Sequence, residues 1–459
     1  MKQIFEARSV AIVGVSEREG NLGKNILQNL IDWGYEGKIY CINPKGGSAL
    51  GHHLYTSITE IPEAVDLGVI IVPAPAVAEI VEECGRKGIT RLAIPAGGFE
   101  EFENGGDAAS AALVAAARRH GIRFVGPNCL TVINAHTGLC LPFVPLPPDL
   151  PRGGVSIVAQ SGGIGLDFLA RLKDDSTGFA KFVSVGNKTD LDEVDFLAYM
   201  GEDPRTEVIC MYLEDVARGR ELLGTARGID KPILAYKANV ESLTMDSARS
   251  HTAALANDDA VLEGAFRQAG IIRVHRLAQL AGYAKVFSLP PLCGNRIALV
   301  SPTGGILVLA SDQCARRGFE FPRLPPSLVE DIRENLRAGV IDISNPLDLG
   351  DVHDADARVY IIDRLLEQDF IDGVIMLLVA RLSSGDAMTG NIRSLSKNIL
   401  PDLSALVEKH DKPLIFSLLS TGVVRESARR TTGLPIFNDA EEAVDAAAVL
   451  RDHSLRVRG

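Results

Sequence analysis

One histidine stands out for its setting. In ARSHTAALA, residues 248–256, His251 lies between the hydroxyls of Ser250 and Thr252, and small apolar residues follow. No side chain near it has metal-ligand spacing, so no metal site is read there. An imidazole that acts as a nucleophile must be neutral, with one ring nitrogen free. Its other nitrogen is best held by a carboxylate or carbonyl, which fixes the tautomer. Glu214, in VICMYLEDVARG (208–219), directly follows an apolar run and is therefore placed at the carboxyl end of a strand. AQSGGIGLDFLARL (159–172) puts Ser161, Gly162 and Gly163 at the start of a helical pattern. Free amides and the positive end of the helix dipole hold a dianion there without any lysine. The other histidines (52, 53, 120, 136, 275, 353, 410 and 453) lack such surroundings and are read as structural or exposed.

These groups need elements to position them. The chain has 459 residues, which suggests about three domains at roughly 150 residues each. Two proline-rich stretches, LPFVPLPPDLPRGG (141–154) and SLPPLCGN (288–295), read as linkers, because proline continues neither a helix nor a central strand. They predict domains over 1–145, 146–290 and 291–459. Each segment opens on a β-branched apolar run, a turn of small residues and a helical pattern: SVAIVGVSE (9–17), GVSIVAQSGGIG (154–165) and RIALVSPTGGIL (296–307). Continuous apolar runs suit strands buried on both faces, and strands alternating with helices give parallel sheets. The expected fold class is α/β with three doubly wound domains. The second and third segments read as distant repeats, since each adds an aspartate-containing motif, GNKTDLDEVDFL (186–197) and SNPLDLGDVHDA (344–355).

The charge narrows the function classes. The 47 Lys and Arg against 59 Asp and Glu give a net charge of −12, which argues against a nucleic-acid partner. The seven cysteines are scattered singly, so neither a disulfide framework nor a zinc site is expected and the compartment reads as cytoplasmic. Neither a signal peptide nor a membrane span is read from the chain.

The first segment reads as a nucleotide site. In VAIVGVSEREGNLGKNILQNL (10–30), Gly14 and Gly23 let the backbone approach a phosphate, and the helix that follows offers free amides. Ser16 replaces the second glycine of the G-x-G-x-x-G pattern, and the spacing is stretched. Lys24 opens the helix. The next strand, KIYCINPKGG (38–47), ends in Asn43, Pro44 and Lys45, where an NAD enzyme would carry an acid. A lysine there attracts a phosphate on the ribose, and both NADP and coenzyme A carry one. The third strand runs in DLGVIIVPAPAVAEIVEEC (66–84), and Pro73 and Pro75 break it at its carboxyl end. Proline-lined strand ends would shape a groove for an extended arm such as pantetheine. RLAIPAGGFEE (91–101) and IRFVGPNCLTVIN (122–134), with Asn128, close the domain.

INPK, VPAP and GPNC, in this order, resemble the CoA-binding domain of succinyl-CoA ligase alpha subunits and of the ADP-forming (NDP-forming) acyl-CoA and acetyl-CoA synthetases. AQSGGIG, SVGNKTDLDEVDFL, YLEDVARGREL and SHTAALA continue the likeness through the second segment. The third segment resembles the additional ligase-like domain of the ADP-forming acetyl-CoA synthetase alpha chains. The resemblance covers essentially the whole chain. It implies a Rossmann-like CoA-binding domain followed by two flavodoxin-like, succinyl-CoA-ligase-type domains. Gly14, Ser16, Gly23, Lys24, Asn43, Pro44, Lys45, Val72, Pro73, Ala74, Pro75 and Asn128 would face coenzyme A.

The same resemblance implies phosphoryl relay. An acyl-CoA and phosphate give an acyl phosphate and free CoA, His251 takes the phosphoryl group, and ADP becomes ATP. By resemblance Glu214 steadies the histidine and Ser161–Gly163 cradle the phosphate. Relatives commonly have glycine where Ala253 stands, so a methyl group restricts the loop wherever φ must be positive. No Walker A motif is present. The family uses an ATP-grasp domain for magnesium and ADP or ATP, which implies a separate ATP-grasp beta chain and an α2β2 complex. Two alternatives remain: a CoA-binding regulatory or scaffold protein with weak catalysis, and an NADP-dependent oxidoreductase. No catalysis is assigned to the third segment.

Overall fold

The computed structural model describes residues 1–99, 106–241, 259–335, 343–350, 352, 354–379 and 398–458. They form two compact units, Met1–Lys173 with Gly178–Leu280 and Asp174–Thr177 with Ala281–Gly459. The fold is α/β, and its sheets are largely parallel.

Unit 1 carries two sheets. The first contains β1 (Ser9–Val13), β2 (Lys38–Ile42), β3 (Ser48–Ala49), β4 (His52–Tyr55), β5 (Leu67–Ile70), β6 (Arg91–Ala93) and β7 (Arg123–Val125). Their order is β3-β4-β2-β1-β5-β6-β7, and every neighbouring pair is parallel except β3 with β4. Setting β3 aside, this is the dinucleotide-fold order 3-2-1-4-5-6, with its reversal between β1 and β5. Central β1 (SVAIV) and β5 (LGVI) are buried at every position, as strands covered on both faces must be. The helix Leu22–Asp32 follows β1 and buries Ile26, Leu27 and Leu30, the i, i+1, i+4 face of an amphipathic pattern.

The second sheet contains β8 (Thr131–Asn134), β9 (Leu139–Cys140), β10 (Arg152–Ala159), β11 (Phe179–Ser184), β12 (Val208–Leu213), β13 (Ile233–Lys237) and β14 (Ile271–Val274), in the order β14-β13-β12-β10-β11-β8-β9. Strands β10 to β14 are parallel in the flavodoxin order 2-1-3-4-5, with the reversal between β10 and β12. The antiparallel pair β8–β9 covers the edge of β11 that would otherwise stay open.

Two local expectations change. IRFVGPNCLTVIN was expected to close the first domain. Instead it splits: β7 stays with the first sheet and β8 joins the second. The break comes from Gly126 (φ +100), Asn128 (φ +55) and Thr131 (φ +61), which turn the chain out of the strand. The proline-rich stretch 141–154 is not a loose linker at its start. Prolines lack N–H donors but keep their carbonyls. The buried Asn29 amide donates to Pro142 O and Val144 O, both at 2.8 Å, and Asn25 donates to Phe143 O at 3.0 Å. The Trp33 indole N–H donates to Leu146 O at 3.0 Å. The helix of the first sheet therefore straps the stretch down.

Unit 2 contains β15 (Ile297–Ser301), β16 (Leu347–Asp348), β17 (Gly373–Val379), β18 (Leu414–Leu419) and β19 (Ile436–Phe437), parallel in the order β16-β15-β17-β18-β19 among the described residues. This repeats the 2-1-3-4-5 order of β10 to β14. In both sheets the first strand leads into a glycine-started helix, Gly162–Asp174 and Gly304–Arg316.

Candidate functional site

Parallel doubly wound sheets bind ligands beyond the strand carboxyl ends, at the point where the strand order reverses. Unit 1 has two such points.

At the first, between β1 and β5, the turn after β1 is built around Asn21. Its side-chain oxygen accepts from Ser16 N at 3.0 Å and Lys24 N at 2.8 Å, and its amide donates to Gly14 O at 3.0 Å. Asn21 is thus the helix N-cap and the clasp of the whole turn. Gly14 has φ +104, and a Cβ there would stand 2.3 Å from Ile71 O. A Cβ on Gly23 would stand 2.8 Å from Gly14 O, so the helix start lies directly on the turn. Asn43 donates to Val15 O at 2.7 Å and accepts from Lys45 N at 3.0 Å, which ties the end of β2 to the end of β1.

The predicted residues divide into two groups. Gly14, Ser16, Gly23, Lys24, Asn43, Pro44 and Lys45 gather beyond the adjacent strands β1 and β2. Val72, Pro73, Ala74 and Pro75 stand across the reversal beyond β5, where Pro73 caps the helix Ala74–Lys87. Asn128 stands apart, beyond edge strand β7, with its side chain on Asn187 at 3.2 Å. Lys24 is not a free cation. Its ammonium meets Glu17 at 2.5 Å, and Glu17 also accepts from Leu50 N at 3.1 Å. The lysine bond first, then this amide, hold the Glu17 carboxyl below its ordinary range. Lys45, Pro73 and Pro75 are exposed, as a rim that meets a ligand would be.

The second point lies between β10 and β12. Ser161 follows β10 and its hydroxyl accepts from Ile164 N at 3.5 Å, a long N-terminal cap for the helix Gly162–Asp174. Among the described residues, a Cβ on Gly162 would strike Leu130, 2.7 Å away, whereas one on Gly163 would meet nothing within 4 Å. The Gly163 face is therefore open. Opposite it, Glu214 follows β12. Burial, then the negative charge of the Glu214 carboxylate and a hydrogen bond to it, push the Tyr212 phenol above its ordinary pKa. The predicted cradle and the predicted carboxylate thus flank one crevice. His251 and Ala253 lie outside the described residues.

Sequence reasoning missed what joins the two sides. The buried Gln160 side chain accepts from Glu214 N at 2.8 Å and Asp215 N at 3.2 Å, and donates to Asp215 Oδ1 at 2.7 Å. Lys188 forms ion pairs with Asp215 and, at 3.1 Å, with Glu193. Burial alone would lower the lysine pKa, but these two carboxylates outweigh it and hold the ammonium above its ordinary range. The available signals were a glutamine directly before SGG and an aspartate directly after Glu214.

A CoA binding domain model matches residues 8–135, and a succinyl-CoA ligase like flavodoxin domain model matches residues 152–287. The ADP-forming acetate–CoA ligase I alpha subunit of Pyrococcus furiosus is 32% identical, over 98% of this chain and 97% of its own. The ligase II alpha subunit of the same organism is 30% identical, over 99% and 98%. The chain belongs to the ADP-forming acetate–CoA ligase family. The Methanocaldococcus jannaschii ADP-forming acetate–CoA ligase is 34% identical over 99% of this chain, which spans 63% of the length of that relative. Among solved structures, a Ca. Korarchaeum cryptofilum dinucleotide forming acetyl-coenzyme A synthetase 1, in complex with phosphate and ADP, superposes with a TM-score of 0.87 at 27% identity. It covers 100% of this chain and 97% of that one.

Membership in this family decides between the two ligands that the lysine-ended strand left open, in favour of coenzyme A. Among the described residues, no helix is long and apolar enough to cross a membrane.

Proposed function

We propose that this chain is the alpha subunit of an ADP-forming acyl-CoA synthetase. It would catalyse the reversible conversion of acyl-CoA, phosphate and ADP to carboxylic acid, CoA and ATP. The observation that carries the reading is the pair of switch-point crevices in unit 1. One is built as a nucleotide turn. The other sets an open glycine helix start across from Glu214.

In the forward step a phosphate oxygen attacks the thioester carbonyl and the C–S bond breaks. The thiolate takes up a proton, leaving an acyl phosphate. Ser161, Gly162 and Gly163 would hold that dianion by backbone amides, worth about 0.3–2 kcal/mol per helix start. A neutral His251 nitrogen would then attack phosphorus, an N–P bond forms, and the P–O bond to the carboxylate breaks. Glu214 would fix the other ring nitrogen and stabilise the imidazolium character that develops. Coenzyme A, when bound, supplies the thiol that carries the acyl group. Gly14, Gly23, Asn43, Lys45 and the Val72–Pro75 turn would hold it, and the exposed Lys45 suits its ribose phosphate.

Magnesium and ADP or ATP would bind a separate ATP-grasp beta chain, in an α2β2 complex in the cytoplasm. The alpha-subunit names of the Pyrococcus furiosus relatives support a separate partner subunit. The acid is a small carboxylic acid. We retain the division into domains 1–145, 146–290 and 291–459 as the functional one.

The test is phosphorylation. Full-length chain, with its co-expressed partner, is incubated with acetyl-CoA and labelled phosphate. Acid-labile, base-stable label should appear on this chain and disappear in His251→Ala. Label that persists in the variant overturns the assignment.

A further inference from the structure

We propose that Gln160, braced by Asp215 and Lys188, is a positioning residue that fixes the Ser161–Gly163 helix start and Glu214 at one spacing. The proposal rests on the phosphoryl-transfer reading above and deepens it.

The ladder between β10 and β12 runs to Ala159 paired with Tyr212, and Gln160 N still donates to Tyr212 O at 2.9 Å. Beyond that point the two chains part, because one turns into a helix on each side of the reversal. The Gln160 side chain takes over where the ladder stops. Its oxygen accepts from the backbone N–H groups of Glu214 and Asp215, at 2.8 and 3.2 Å. Its amide nitrogen donates to Asp215 Oδ1 at 2.7 Å. Two donors on one side and a carboxylate on the other leave a single orientation of the amide. The carbonyl of Glu214 is held as well, by Lys237 Nζ at 2.8 Å and Asn239 Nδ2 at 3.3 Å. The main chain of the candidate carboxylate is therefore clamped at both its N–H and its C=O, and one half of the clamp springs from the residue that precedes the cradle.

Lys188 completes the brace. Its side chain is 7% exposed, and it pairs with both Asp215 and Glu193. It also donates to Asp215 O at 3.3 Å. Buried among two carboxylates, it does not reach out to a phosphate. Its effect is to neutralise Asp215, which would otherwise repel a dianion in the crevice and swing away from Gln160. Phosphoryl transfer to an imidazole depends on placement, and a misplacement of about 1 Å costs on the order of 100-fold in rate.

The experiment uses full-length chain with its co-expressed partner, acetyl-CoA and labelled phosphate, with CoA affinity measured in parallel by calorimetry. Gln160→Met keeps the volume and removes every polar contact. It should slow labelling by about 30–100-fold while CoA affinity stays within about two-fold. Gln160→Glu alone should be equally slow, because two carboxylates then face each other. Gln160→Glu combined with Asp215→Asn restores a donor–acceptor pair between the two side chains but costs Asp215 Oδ1 its bond from Lys188, so labelling should recover only in part, to about three-fold or more above Gln160→Glu alone, which a packing role would not do. Wild-type label with Gln160→Met unchanged overturns the staple alone. So does a parallel loss of CoA affinity, or a double variant no better than Gln160→Glu. Wild-type chain that takes no label overturns the phosphoryl-transfer reading, and the staple with it.

Discussion

Gly14→Ala should damage unit 1 more than any other single methyl added to the candidate sites. The residue has φ +104, a conformation that costs an L-residue about 1–2 kcal/mol. The new Cβ would also stand 2.3 Å from Ile71 O and 3.2 Å from Ile71 C, both main-chain atoms. Ile71 cannot yield easily, because its N–H is bonded to Val13 O at 3.0 Å as the ladder between β1 and β5 ends. Overpacking of this kind adds about 1–3 kcal/mol. The sum is roughly 2–5 kcal/mol, a large share of the ~5–15 kcal/mol that holds a typical domain. The sequence has one tryptophan, Trp33, and it lies in this unit, 6% exposed and at the end of the helix that starts on the same turn. Denaturant unfolding followed by its fluorescence therefore reads unit 1 alone. The midpoint should fall and CoA binding should be lost. A midpoint shift worth less than about 0.5 kcal/mol, with normal CoA affinity, would refute the reasoning.

Gly163→Ala should do the opposite. Its Cβ meets nothing within 4 Å, and alanine favours a helix start, so thermal unfolding should be unchanged or slightly raised while labelling by phosphate slows. Lys181 and Asp203 form a buried pair at 2.6 Å with side chains 2% and 4% exposed, so Lys181→Met should cost about 3–5 kcal/mol in the Trp33 unfolding assay. Burial alone would raise the Asp203 pKa, but the Lys181 and Thr206 hydrogen bonds outweigh it and hold the group below its ordinary value. A depressed carboxylate stabilises above its unfolded pKa of about 3.9 and loses that contribution as pH falls through the folded value. Comparing wild type with Lys181→Met at neutral pH and below pH 3 should therefore find the gap shrinking in acid; a gap that grows would contradict it.

Much of this architecture was legible because parallel strands buried on both faces leave unbroken apolar runs. SVAIV, VICMYL and IALVS each became a strand. What stayed hidden depended on contacts between distant residues. The split at Gly126–Thr131 turns on three positive φ values, and glycine, asparagine and threonine do not announce a change of sheet. The strap on residues 142–146 comes from Asn25, Asn29 and Trp33, more than a hundred residues away. Glu214 and Ser161–Gly163 could each be placed at a strand end from the chain alone. That they follow adjacent strands at the reversal came only from the strand order 2-1-3-4-5. Lys24, placed towards coenzyme A by resemblance, meets Glu17, a partner seven residues earlier that the sequence did not point to.

The edge of the first sheet and the loop that braces the second crevice are joined by main chain rather than by mobile side chains. Gly186 packs so closely on the 126–128 turn that a Cβ would stand 2.3 Å from both Pro127 O and Asn128 O. Asn187 N donates to Pro127 O at 3.0 Å and Thr189 N to Gly126 O at 3.3 Å. Asn128 at the edge of the first sheet therefore touches the same loop that carries Lys188, the brace of the second crevice. Such a joint has little freedom, since backbone atoms in contact do not adjust as rotamers do. A thioester held at one crevice and a phosphate held at the other would then meet at a separation set by the fold itself. Under the function proposed above, an acidic chain would hold two anionic reactants in this way. Fixed amides at fixed spacing replace mobile positive charge, and their cost is met when the chain folds rather than when the substrates bind.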